Sequence, residues 1–260
     1  MNCVPAGFVL FLSGIMIKMI EKTKEKRYNK NNPTNEISIK TKEKNMKIIF
    51  LGDSITEGVG ASCPINNYVC KVAEICEGVM TENFGVSGTR IARQTTPTEF
   101  RTFDYDFQMR CEVMSKDADK VFVFGGTNDY GHGDAPFGKQ SDDTDDTFCG
   151  ALNNLLGYLT RKYPKNKICF VLPTFRCGEE NPGGECGKAN GKPLSEYRKQ
   201  IVRSCKKFGV DCLDICDVFP EPMTKAGDEY TVDGLHPNDL GHNRIAEKLY
   251  KCLLEYNKLT

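Results

Sequence analysis

From residue 46 onward, short apolar runs alternate with stretches in which apolar positions recur every three to four residues. The runs fall at 47–51, 79–84, 120–124, 167–172 and 210–213. Near-continuous apolar runs of this length read as strands buried on both faces. The intervening periodicity predicts helices at 66–76, 100–114, 147–163 and 194–208, with a last helix at 239–256. Strand and helix in regular alternation imply right-handed βαβ units. The expected fold is therefore α/β: a three-layer α/β/α sandwich around a five-stranded parallel sheet.

The first 45 residues break this pattern. An apolar stretch at 4–17 is followed by a Lys/Asn-rich run at 18–45. The apolar stretch is shorter than the roughly 20 residues a membrane-spanning helix needs. As a signal peptide it lacks a basic leader and an Ala-x-Ala site. The expectation is a disordered extension, residues 1–45, preceding a domain at 46–260 in a cytoplasmic protein. Anchoring or export through 4–17 is the alternative.

Charge sharpens the division. Formal net charge is zero, but residues 1–45 hold nine Lys/Arg against four Asp/Glu, which leaves 26 against 31 in the remainder. An acidic domain is poorly suited to phosphate backbones, which argues against a nucleic-acid partner. The thirteen cysteines include no Cys-x-x-Cys. Cys169 and Cys212 fall inside expected strands, as small buried hydrophobes in a reducing compartment. Cys177 and Cys186 share a Gly-rich loop and could pair or bind a metal. No zinc-type spacing occurs, and no cofactor is implied.

Candidate chemistry lies just beyond the expected strands. Ser54, in Gly52-Asp53-Ser54-Ile55-Thr56-Glu57-Gly58, follows the first apolar run directly. Asp233 stands three residues ahead of His236 in Asp233-Gly234-Leu235-His236-Pro237-Asn238. A serine hydroxyl becomes a nucleophile when a base takes its proton, and an imidazole serves as that base when a third group orients it. Ser54 also suits a plainer role as a helix N-cap. Open α/β sheets bind ligands beyond the carboxyl ends of their strands, where these residues fall.

Two further strings complete a pattern: Asn83-Phe84-Gly85-Val86-Ser87-Gly88 and Gly125-Gly126-Thr127-Asn128-Asp129. Together the four blocks, in order from Gly52 to Asn238, resemble the GDSL family of SGNH hydrolases. The resemblance implies a flavodoxin-like fold and cleavage of carboxylic esters through an acyl-Ser54 intermediate. His236 would be the base and Asp233 its orienting partner. Ser54, Gly88 and Asn128 would supply the donors of an oxyanion hole. Gly85 competes with Gly88 for that role, and alignment on Asn83 favours Gly88. An acyltransferase on the same machinery and a non-catalytic flavodoxin-like binding domain remain the alternatives. The expected partner is a small-molecule or carbohydrate ester, which includes O-acetylated sugars, lysophospholipids and thioesters.

Where many relatives carry Asp-Thr after the glycine, this chain has Thr89-Arg90. Arg176 likewise follows an expected strand. Two guanidiniums near the centre could grip an anionic substrate, or could pair with Asp129, Asp134 or Asp142. Asp53, Arg90, Asp129, His132 and Arg176 are thus candidates for lining the substrate cleft. His242 is expected to face solvent or cap the last helix. The acidic run at 142–146 reads as a solvated loop ending in a helix cap rather than a calcium site.

Overall fold

The computed structural model describes residues 46–182, 184, 192–219 and 227–259. Strand β1 (Met46–Gly52) lies in the interior of the sheet because Ile48, Ile49, Phe50 and Leu51 have no polar side chain to offer water and are all fully buried. It pairs in parallel with β2 (Val79–Gly85) on one side and β3 (Lys120–Phe124) on the other. Strands β4 (Ile168–Val171) and β5 (Asp211–Leu213) extend the sheet in the order β2-β1-β3-β4-β5. Every pairing is parallel.

The register brings the carboxyl ends level. Gly52 lies opposite Gly85 and Phe124, Phe124 opposite Val171, and Val171 opposite Leu213. Strand order reverses direction between β1 and β3, and in open α/β sheets such a switch point opens a crevice above the strand ends.

Seven helices are described: α1 (Ser54–Glu57), α2 (Tyr68–Ile75), α3 (Phe107–Val113), α4 (Thr127–Gly131), α5 (Phe148–Lys162), α6 (Leu194–Phe208) and α7 (Asp239–Leu259). Alternation along the strands divides the core in two. Ile49, Leu51, Val121, Val123 and Phe170 meet Phe107, Leu152, Leu155 and Ile201 of α3, α5 and α6. Ile48, Phe50, Phe122 and Val171 meet Tyr68, Val72, Ile245 and Leu249 of α2 and α7 on the other face. The sandwich has three layers, as the alternation predicts.

Differences from the sequence-based expectation are local. The helix expected at 100–114 is a 3₁₀ turn, Arg101–Asp104, followed by α3. Asp106 separates them by accepting the Met109 amide at 2.9 Å as an N-cap. Cys212 is exposed rather than buried, because β5 is short and lies at the sheet edge. The short helices α1 and α4, each just past a strand end, are absent from the predicted elements. Residues 1–45 and Cys186 lie outside the described residues, and with them the expected extension and the Cys177–Cys186 pairing. Among the described residues, no helix is long and apolar enough to cross a membrane.

Candidate active site

Ser54 opens α1 immediately beyond β1, and Asp53 caps the turn by accepting the Ile55 amide at 3.1 Å. The first amides of a helix have no partner within it, so Ser54 presents a hydroxyl and an N–H at a dipole-positive end. Close approach makes this turn possible. A Cβ on Gly52 would sit 1.8 Å from Thr56 Oγ1, and one on Gly85 would sit 2.1 Å from the Glu57 amide nitrogen. Gly85 is therefore the seat of α1. That explains its missing side chain without an oxyanion role.

The second half of the site comes from the loop before α7. Asp233 Oδ1 accepts the amides of Leu235 at 3.0 Å and His236 at 2.7 Å, which folds the loop around its own carboxylate. Asp233 Oδ2 accepts His236 Nδ1–H at 2.7 Å. That leaves Nε2 bare, and Ser54 Oγ donates to it at 2.9 Å across a separation of 182 residues. Burial opposes ionisation of Asp233, but the hydrogen bonds from the His236 ring and backbone outweigh it and hold the carboxyl below its ordinary value. The bond from the ring stays fully charge-assisted at neutral pH.

Contacts that local spacing does not reveal hold the halves together. Asp239 accepts Ser62 N at 2.8 Å, Ser62 Oγ at 2.6 Å and Asn66 Nδ2 at 2.9 Å. The loop after α1 also touches the histidine loop, where a Cβ on Gly60 would lie 2.2 Å from the Pro237 carbonyl oxygen. Arg110 of α3 spans the strand ends. It donates to Gly52 O at 2.6 Å, to Phe84 O, and to Thr89 Oγ1 at 2.7 Å. Burial pulls its pKa down to about 10. An arginine in an amphipathic stretch carries no signal that would single it out for this task.

Asn128 lies on α4, past β3, and its Nδ2 donates to Thr89 O at 3.0 Å. The amide nitrogen is thereby brought beside the segment that carries Gly88. Gly88 has φ +72, and a Cβ there would meet the Phe103 ring at 2.6 Å. Both conditions restrict the position to glycine. Ser54, Gly88 and Asn128 thus sit on three adjacent strand exits, with His236 reaching in from the C-terminal loop.

The remaining candidates turn inward. The Asp53 side chain is buried in its cap, which pushes its pKa up to about 6. Asp129 accepts the amides of Ile91 at 3.0 Å and Ala92 at 2.8 Å, stitching the segment after β2 to α4, and burial raises its pKa to about 6 as well. Arg176 is 3% exposed and donates to Thr127 O at 3.1 Å and Oγ1 at 3.0 Å. Arg90 is 2% exposed, with hydrogen bonds to His132, Phe103 O and Asp104. Each guanidinium is enclosed by the elements it braces. Half-buried His132 lies between Arg90 and Asn128.

His242 faces neither solvent nor its own helix end. It is 0% exposed, and its Nδ1 accepts the Tyr68 amide at 3.2 Å at the start of α2. Burial lowers its pKa to about 4. In the acidic run, Asp142 accepts Lys139 N and Thr147 Oγ1, and Thr147 caps α5. Among the described residues, no group of three or more His, Cys, Asp or Glu could hold a metal ion.

Comparison with known proteins agrees with this fold. A family model for the GDSL-like lipase/acylhydrolase family matches residues 50–244. An acetylxylan esterase of Xylanibacter ruminicola is 24% identical over 226 residues, 79% of this chain and 42% of that protein. The chain thus spans less than half the length of that relative. A solved structure from Lactobacillus plantarum superposes with a TM-score of 0.66 at 30% identity, covering 81% of this chain and 97% of that one. The acetyl xylan esterase AlAXEase shares the fold, with a TM-score of 0.53 at 20% identity over 80% of this chain and 99% of its own.

Proposed function

The chain belongs to the GDSL-like lipase/acylhydrolase family, and from that premise we propose that it is a serine esterase whose nucleophile is Ser54. The observation that carries this reading is the hydrogen-bonded line from Ser54 Oγ through His236 to Asp233, at 2.9 Å and 2.7 Å.

In the proposed reaction, His236 Nε2 takes the Ser54 proton as Oγ attacks the ester carbonyl. Asp233 stabilises the imidazolium that forms. The carbonyl oxygen becomes an oxyanion held by the amides of Ser54 and Gly88 and by the Asn128 side chain. Collapse breaks the bond to the alcohol, which leaves with the proton from His236. Water, activated by the same nitrogen, then releases the acid from acyl-Ser54.

For the substrate we propose a short acyl ester on a carbohydrate, with acetyl as the acyl group. The similarity to an acetylxylan esterase supports this choice. A fluorophosphonate probe should label the wild-type protein and leave Ser54→Ala unlabelled. Acetylated xylo-oligosaccharides and p-nitrophenyl esters of rising chain length should then show a preference for acetyl. Equal labelling of the variant would overturn the nucleophile, and a preference for octanoyl over acetyl would overturn the substrate class.

A further inference from the structure

We propose that Arg90 and His132 are positioning residues forming a one-way hydrogen-bond chain, which makes the nitrogen end of the Asn128 amide face the reacting oxygen. What the amide does there rests on the esterase reading above; how it is held rests on geometry alone. Arg90 Nη1 lies 2.8 Å from His132 Nδ1. A guanidinium has only donors, so Nδ1 must be the bare, accepting nitrogen. The neutral ring then carries its proton on Nε2, which lies 3.1 Å from Asn128 Oδ1. That proton draws the oxygen end of the amide towards His132. At the opposite end Nδ2 donates one proton to Thr89 O at 3.0 Å and keeps its second for the substrate.

The chain matters because an asparagine amide has little intrinsic preference between its two orientations. A reversed Asn128 would turn an acceptor towards a developing negative charge. It would also set NH₂ against the His132 N–H and oxygen against the Thr89 carbonyl. The first mismatch follows from the chain beginning at a group unable to accept, and the second from the Thr89 carbonyl, which can only accept.

The backbone builds this line economically. His132 follows Asn128 by four residues, and its amide closes on the Asn128 carbonyl at 3.1 Å, so the two side chains share one face of α4 and its end. Arg90 is held at its far side, where Nη2 donates to Phe103 O at 3.2 Å and approaches Asp104 Oδ1 at 3.4 Å. Phe103 is the residue whose ring lies against Gly88. One buried arginine therefore braces both non-serine donors of the proposed oxyanion hole, Asn128 through His132 and Gly88 through Phe103.

The test is a double-mutant cycle on p-nitrophenyl acetate. His132→Leu should lower kcat by about tenfold or more with KM changed less than about twofold, since the displaced donor acts on transition-state charge. In an Asn128→Ala background the same substitution should change kcat by less than about twofold, because coupled residues are non-additive. Equal losses in both backgrounds would overturn the chain. His132→Gln, which keeps an acceptor and a donor on one side chain, should recover part of the rate; no recovery over leucine counts against it. Independently of any variant, long-range ¹H–¹⁵N correlation on the wild-type protein should show His132 protonated at Nε2 and bare at Nδ1. The opposite tautomer would overturn the proposal. The tautomer needs no turnover, so it stands or falls apart from the esterase reading. Additivity in an enzyme that still depends on Ser54 would remove the chain and leave that reading intact.

Discussion

At the scale of single residues, environment decides what each side chain can do. Asn128 and Asp129 are neighbours on α4. One donates beside Gly88, while the other is absorbed by the Ile91 and Ala92 amides. Asn128→Ala is accordingly expected to lower kcat by roughly 10²–10³-fold with a smaller change in KM, read from steady-state kinetics. His242 illustrates burial acting on a titratable group. Its folded pKa of about 4 lies below the ordinary 6.5. Its neutral form therefore contributes stability that is complete above pH 6.5 and is lost as pH falls towards 4. The cost of His242→Gln, a side chain with no proton to gain, should shrink by about 1–2 kcal/mol between pH 7 and pH 5 in urea unfolding. A cost that stays constant would show that the ring is not held neutral.

At the scale of elements, the site depends on how strand exits are tied to one another. Arg110 reaches from α3 to the carbonyls ending β1 and β2 and to the Thr89 hydroxyl. Arg110→Met would strip the donor from several buried acceptors, each costing about 1–3 kcal/mol when left unsatisfied. A fall of several degrees in Tm is expected by calorimetry, together with reduced kcat, because Thr89 and Gly52 flank the proposed oxyanion donors. Arg110→Lys should restore neither fully, since one ammonium cannot span all three sites. The loop bearing Gly88 is as constrained. Gly88→Ala combines a left-handed φ with a clash against the Phe103 ring, and both stability and kcat should fall.

At the scale of the whole molecule, parallel strands with level carboxyl ends bring residues from distant segments to one edge of the sheet. Cores form on both faces of the sheet, and the described residues from Met46 onward pack as one unit. A protein beginning at Met46 should therefore fold, shown by an unchanged far-UV circular dichroism spectrum, and hydrolyse the same esters at a comparable rate. Loss of folding or activity in the shortened chain would make residues 1–45 part of the functional domain.

Hydrophobic pattern alone determined β1, β3 and β4 and the helices α2, α5, α6 and α7, because burial on both faces demands apolar runs that few other structures tolerate. The edge strands β2 and β5 are only partly buried and carry a weaker signal. Asp233 and His236 were legible as a pair for an equally local reason: three residues apart on one turn, they meet whatever the rest of the chain does. The short turns α1 and α4 were not, since four or five residues carry too little periodicity to register. Tertiary structure alone decided partners for the long polar side chains. Arg90 and Arg176 read as candidates to grip an anionic substrate in the cleft or to pair with nearby acids, and both are enclosed and bonded to carbonyls and a histidine ring. His242, in a helix end that reads as exposed, is buried because α2 is packed against it. Sequence patterns encode backbone periodicity and which face is apolar. Which polar atom stands across from a buried donor is set only when two distant elements pack, and here that packing gives Arg110, Arg90 and His132 their places.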